Sequence, residues 1–209
     1  MIKSINLICI TTILLLSCTN KFDKNWTTEK APNNYVTRLY TTKGNIDIEV
    51  NREASPNAAD RFYQLVKNNF FSNATFYRVV PGFVAQFSNT DTLTANPWKE
   101  IPILDEPVKR GNNKGNLSFA RLGKNSRSVD VFINLNNNTK LDTIVFEGVV
   151  GFASFGQVIA GMDVAENLFS GYAEETMADS DVFDNVTLLR KKYPNLDRIY
   201  RAEIITQKP

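Results

Sequence analysis

The chain has 209 residues, 43% of them hydrophobic, with 24 Lys plus Arg against 22 Asp plus Glu. That is enough for one domain with a sizeable core, and so even a charge balance argues against nucleic acid as the main partner, which calls for a basic face. Histidine is absent and the only cysteines, Cys9 and Cys18, lie near the N-terminus, so a histidine-based nucleophile, a disulfide framework and a cysteine zinc site are excluded, and no metal or cofactor is called for.

Lys3 precedes an apolar run, Leu7 to Leu16, that ends at Ser17-Cys18. Such a run suits the core of a signal peptide and is too short to span a bilayer as a helix. Leu15-Leu16-Ser17-Cys18 looks like a bacterial lipobox; that resemblance implies cleavage before Cys18 and lipidation of Cys18. An ordinary secretory signal with a chance cysteine is the other reading. Lipid chains would anchor the protein to a membrane face, periplasmic or surface, without crossing it. Thr19 to Asn34 is polar and without apolar periodicity, and reads as a tether. The organisation is therefore a signal peptide over 1–17, a tether over 18–34 and a folded domain over 35–209.

Tyr35–Thr41 reads as a strand, Lys43-Gly44 as a turn, and Ile46, Ile48 and Val50 alternate with polar residues as a second strand. Ser55-Pro56 is a helix start, an N-cap followed by proline at the first helical position. Ala59, Phe62, Leu65 and Val66 then share one face at helical spacing, and Asn68-Asn69 ends the helix. Thr75–Val80 is a strand, broken by Pro81-Gly82, and Phe83–Phe87 is the next. A period of two places Phe76, Arg78 and Val80 on one face, Tyr77 and Val79 on the other. Ser88–Asn116, with Pro97, Pro102, Pro107 and Trp98, reads as a long but ordered irregular excursion. Strands follow at Leu117–Ala120 and Val129–Leu135, and two apolar runs broken by glycines at Thr143–Gly156. Gly161 opens a short helix with Val164, Ala165 and Leu168 on one face, closing near Gly171. Asp181–Lys192 is an amphipathic helix with acids first and cations last. Ile199–Thr206 closes the chain as a strand. Many short strands, a few helices and no βαβ rhythm indicate a mainly β protein, a closed antiparallel barrel with two or three flanking α-helices.

The stretch Phe76-Tyr77-Arg78-Val79-Val80-Pro81-Gly82-Phe83-Val84-Ala85-Gln86 sets one cation among apolar residues. An amphipathic hairpin whose arginine snorkels to water explains it blandly. As F-x-R-V-x-P-G-F-x-x-Q, however, it resembles the signature of the cyclophilin family of peptidyl-prolyl cis-trans isomerases. Thr42–Ile48, Leu117-Ser118-Phe119-Ala120-Arg121, Val131-Phe132-Ile133-Asn134, Phe155-Gly156-Gln157-Val158 and Gly161-Met162-Asp163-Val164 fall in the order that family shows, over about residues 35–206. The resemblance implies a cyclophilin-like barrel and Arg78 as the catalytic arginine. It implies that Gln86 orients Arg78 and that Phe83, Val84, Phe132 and Leu141 form a proline pocket. Ala120 and Arg121 fall on the strand whose backbone pairs with the peptide. Phe83, Phe132 and Leu141 would be buried in any barrel, so it is Arg78 and Gln86 at this spacing that lift the group above packing.

The residue inventory suits isomerisation of an Xaa-Pro bond. The barrier is about 20 kcal/mol because the amide nitrogen shares its lone pair with the carbonyl. Twisting localises that pair on nitrogen, and a cationic donor aimed there favours the twisted state over both planar ones. No nucleophile, metal or proton shuttle is required. Several positions depart from the family pattern. Asp130, which the resemblance counts among the substrate-binding positions, stands where glutamine is usual, and is expected to pair with Arg78 or to face solvent. Arg121 stands where many members have asparagine, and is expected as a second cation at the rim. Lys140 replaces a tryptophan before Leu141, Val84 a common methionine, and Phe152 the family histidine. The function expected is a lipid-anchored isomerase of the cell envelope acting on proline-containing, unfolded exported proteins. The alternative is a catalytically weak peptide-binding or chaperone module on the same anchor, which Asp130 would favour by neutralising Arg78.

Overall fold

A computed structural model describes residues 22–208. The signal peptide, Cys18 and the first part of the tether lie outside the described residues. Phe22–Asn33, within the stretch expected as a tether, is laid against the domain. A 3₁₀ turn, Lys24–Thr28, starts at an Asp23 cap, and Phe22 and Trp26 pack on Trp98. The Gln64 amide donates to the carbonyls of Thr27 and Glu29 at 3.2 and 2.6 Å.

Among the described residues ten strands form: β1 (Asn34–Thr41), β2 (Gly44–Asn51), β3 (Ala74–Val80), β4 (Val84–Ser88), β5 (Asn116–Phe119), β6 (Val131–Asn134), β7 (Val145–Phe146), β8 (Val149–Val150), β9 (Ser154–Ala160) and β10 (Arg198–Lys208). Eight of them close a barrel in the order β1-β10-β3-β4-β6-β5-β9-β2, and β7-β8 is a separate small hairpin. Every pairing is antiparallel, and closure leaves the barrel no free edge. Alternate side chains fill it: Ile46 and Ile48 of β2, Ala85 and Phe87 of β4, Leu117 and Phe119 of β5, Val131 and Ile133 of β6 are all in one buried cluster. Burying side chains of this size contributes about 1.5–3 kcal/mol each before conformational entropy is set against it.

The long helix α1 (Pro56–Lys67) covers the barrel with Ala59, Phe62, Leu65 and Val66 buried, as its spacing predicts. Ser55, however, makes no side-chain cap. Glu106 supplies it instead: its carboxylate accepts from the backbone N–H of Asn57 and Ala58 at 2.8 and 3.2 Å, and from the Ser55 hydroxyl. Glu106 belongs to the Ser88–Asn116 excursion, which is ordered and not wholly irregular. Helix α2 (Thr92–Lys99) lies inside it despite Pro97, with Asp91 accepting from the Leu93 N–H as N-cap. Two buried arginines fasten the excursion. Arg61 reaches the carbonyls of Ile101 and Ser128 at 2.6 and 3.3 Å, and its burial lowers the guanidinium pKa to about 10. Arg127 pairs with Glu106 at 3.0 Å.

Four further helices are short: α3 (Met162–Glu166), α4 (Glu175–Ala178), α5 (Ser180–Phe183) and α6 (Val186–Lys192). The single helix expected over Asp181–Lys192 is thus two pieces, because Asn185 leaves the helix and caps α6, accepting from Thr187 and Leu188 N–H at 3.1 Å each. Likewise α3 stops at Asn167, short of Gly171. No described helix is long and apolar enough to cross a membrane.

Candidate active site

Strand register assembles the site. Arg78 of β3 pairs with Gln86 of β4, Gln86 with Phe132 of β6, and Phe132 with Ser118 of β5, so one row crosses four strands on the outer face. A β-bulge makes this row possible. Phe76 pairs with Phe87 and Arg78 with Gln86, leaving Tyr77 as the extra residue. The expected face assignment is therefore corrected. Phe76 and Val79 point into the core, while Tyr77 and Arg78, adjacent in sequence, both face the groove. Bulges re-aim side chains in this way, because the extra residue resets the alternation.

The groove holds about 640 Å³. Arg78, Gln86, Phe83, Val84, Ala120, Arg121, Asp130, Phe132 and Leu141 all line it. Phe132 and Val84 floor it, 5% and 2% exposed. Asn138 secures the loop beside Phe83, donating to the Phe83 carbonyl at 2.8 Å. The turn that swings Phe83 under the arginine has Gly82 at φ +73°, a conformation that glycine adopts without strain.

Three contacts fix Arg78. Its Nη1 donates to Gln86 Oε1 at 3.3 Å, and its Nε donates to Glu174 Oε1 at 3.0 Å, with Nη2 donating to the same oxygen. The guanidinium carbon sits 5.3 Å from the Phe83 ring centroid. Three of its five N–H groups are engaged by these bonds, leaving two to point elsewhere.

The two polar departures do something other than expected. Asp130 neither pairs with Arg78 nor simply faces solvent; it accepts from the Tyr77 hydroxyl at 2.8 Å. Burial raises its carboxyl pKa above the ordinary aspartate value. The acid on Arg78 is Glu174, just before α4. Arg121 is not a rim cation but is buried, at 7% exposure. Its guanidinium donates to the carbonyls of Gly151 and Val149 at 2.6 and 3.0 Å and lies 4.0 Å from the Phe152 ring centroid. Desolvation lowers its pKa. Arg121 thus ties the β7–β8 hairpin to the groove.

Tyr77, Phe146, Phe152, Met177 and Phe183 also line the groove. Strict alternation along β3 put Tyr77 on the wrong face. Phe183 meets Tyr77 edge-on at 4.9 Å, and Thr176 in α4 donates to the Tyr77 carbonyl. No local sequence pattern marks Glu174, Met177 or Phe183 as site residues, since each reaches the groove from about a hundred positions downstream of β3. Among the described residues no cluster of acids could hold a metal ion.

A closed eight-stranded antiparallel barrel with an arginine–glutamine pair over an aromatic hollow defines a class, and comparison with known proteins supplies the family. The family model for cyclophilin type peptidyl-prolyl cis-trans isomerases matches residues 36–192, and the chain belongs to that family. A peptidyl-prolyl cis-trans isomerase of Acinetobacter baylyi is 34% identical over 137 residues, covering 65% of this chain and 72% of that protein. Peptidyl-prolyl cis-trans isomerase B of Bacillus subtilis is 30% identical over 127 residues, 60% of this chain and 84% of the relative. In fold, the chain is similar to a cyclophilin type isomerase of Cryptosporidium parvum. The TM-score is 0.59 at 18% identity, covering 84% of this chain and 99% of the other. That protein was also crystallised in the presence of the dipeptide Ala-Pro. The activity is peptidyl-prolyl cis-trans isomerisation.

Proposed function

We propose that this groove is the isomerase site, with Arg78 as its catalytic group, and that it serves proline-containing exported polypeptides from a lipid anchor at Cys18. The observation that carries the site is Arg78 itself: a guanidinium held by Gln86, Glu174 and the Phe83 ring, with two N–H groups uncommitted, beside an apolar floor. The proline ring rests against Phe83, Val84, Phe132 and Leu141. Held there, it leaves the acyl side of the bond to rotate. As the bond twists, the nitrogen lone pair localises and accepts a hydrogen bond from Arg78. That bond is stronger in the twisted state than in either planar state, which is what lowers a barrier. Gln86 keeps the guanidinium at the right height, and Ala120 offers backbone to an extended peptide. The crystallisation of a structural neighbour with Ala-Pro is consistent with this class of ligand.

The test is isomerisation of a Xaa-Pro peptide by wild type and Arg78→Ala. Removing one preorganised donor costs about a hundredfold in rate, near 2.7 kcal/mol. Peptide affinity, set by the apolar floor, should change little. A variant as fast as wild type would sink the assignment of Arg78.

A second reading, a member that holds peptides more than it turns them over, is favoured by Glu174 alone. Its carboxylate partly offsets the pull of Arg78 on the prolyl nitrogen. The anchor rests on residues 1–18. Cys18→Ala should move the protein from the membrane fraction to the soluble one in the source cell, and retention in membranes counts against lipidation.

A further inference from the structure

The structure points to a role for Asp130: we propose that it acts through Tyr77 to fix which end of the Gln86 amide faces Arg78, and so is a positioning residue for isomerisation. The inference rests on the reading of Arg78 given above.

The geometry is a chain of three hydrogen bonds. Tyr77 Oη donates to Asp130 Oδ1 at 2.8 Å, Gln86 Nε2 donates to Tyr77 Oη at 2.5 Å, and Arg78 Nη1 donates to Gln86 Oε1 at 3.3 Å. Tyr77 and Gln86 are buried, at 2% and 6% exposure. The direction of the chain follows from donor counting. An ionised carboxylate only accepts. A phenol has one proton, and Tyr77 donates it in the hydrogen bond to Asp130. The phenol oxygen is then left as an acceptor, which only the NH₂ end of Gln86 can satisfy. The amide's other end, its carbonyl, is thereby turned to the guanidinium. A flipped amide would set N–H against N–H at Arg78 and leave a buried donor unmet, which is costly. The bulge in β3 is what lets Tyr77 and Arg78, consecutive residues, reach opposite ends of the same amide.

The groups facing Asp130 are Tyr77 on β3, Ser88 on β4, Lys99 at the end of α2 and Asp184 after α5. Burial raises its pKa most; Tyr77, Lys99 and Ser88 pull it back, and Asp184 pushes it further up. Once protonated, Asp130 gains a donor. The phenol proton is then free to turn toward Gln86, and the amide loses its fixed sense. The rate should therefore fall as pH drops through a carboxyl pKa above the ordinary aspartate range.

The experiment is a protease-free assay, exchange NMR on a Xaa-Pro peptide, on wild type, Tyr77→Phe, Asp130→Ala and Arg78→Ala between about pH 4 and pH 8. Expected are a wild-type kcat that declines on the acid side, and a three- to tenfold lower kcat in Tyr77→Phe and Asp130→Ala, about the worth of one hydrogen bond. KM should stay within about twofold and the acid limb should vanish in both. A flat wild-type profile overturns the proposal without any variant. So does an acid limb that persists in Tyr77→Phe, which would belong to a group other than Asp130. Should Arg78→Ala keep full rate, the failure lies in the underlying reading of the site, not in the relay.

Discussion

The two walls of the groove each carry an arginine, and the two arginines have opposite fates. On the strand wall, Arg78 is held by a side-chain amide, an exposed carboxylate and an aromatic ring, and keeps two N–H groups for another molecule. On the hairpin wall, Arg121 donates to backbone carbonyls of Gly151 and Val149 over the Phe152 ring, and holds the chain's own backbone. Both are cations beside apolar surface. What separates them is the partner set. Side-chain acceptors leave Arg78 partly exposed and able to serve a visiting group, whereas Arg121 is buried, its Nε unpartnered and its two hydrogen bonds given to backbone carbonyls as a structural tie.

Paired alanine substitutions sharpen that contrast most. Arg78→Ala should cut kcat about a hundredfold and move the melting temperature little. Arg121→Ala should do the reverse. It strips a donor from two carbonyls, one of them in a buried residue, at about 1–3 kcal/mol for each acceptor left unmet. Calorimetry would show a clear drop in melting temperature, and surviving folded protein would turn over near the wild-type kcat with a raised KM. Similar rate losses in both variants would erase the distinction between the walls. A smaller effect is expected at Glu174, whose side chain is 63% exposed. Such a pair is worth no more than about 1 kcal/mol and is screened by salt. Glu174→Ala should raise kcat by at most about threefold at low salt, since the carboxylate no longer offsets the cation, and the two rates should converge at high salt. A fall in rate would mean that the carboxylate's hold on the guanidinium outweighs its screening.

The smallest effect concerns stability at Asp130. Its folded pKa lies above the unfolded one because burial penalises the charge. The folded state therefore binds the proton more tightly, and stability erodes as pH rises from the ordinary aspartate range through the raised value. Asp130→Asn removes that cost. It should melt above wild type at neutral pH, with the difference closing in acid. A carboxylate retained at a cost in stability is what a positioning role for Asp130 predicts.

Much of the frame was legible locally. The period of two along Ile46-Ile48-Val50 and the spacing of Ala59, Phe62, Leu65 and Val66 each follow from one element needing one buried face. The nine residues that the resemblance assigned to the groove lie together in it: strand register brings Arg78, Val84, Gln86 and Phe132 there, and the segments flanking those strands bring the other five. Helix α2 was hidden by Pro97, which removes a single helical bond near the helix end, opposite an exposed Leu93. Ser55 before Pro56 marks the start of α1, but its hydroxyl binds the carboxylate that does the capping.

By itself the chain determined its strands and its long helix, since alternation, turn chemistry and short spacing are written within a few residues, and its resemblance to a family implied the pairing of Arg78 with Gln86. Only the tertiary structure decided that Tyr77 sits in a bulge, that Asp130 binds Tyr77 and that Glu174 binds Arg78. It also decided that Arg121 is spent on backbone. Those outcomes depend on what a side chain meets across the fold, and contacts between distant segments leave no periodic trace in either one.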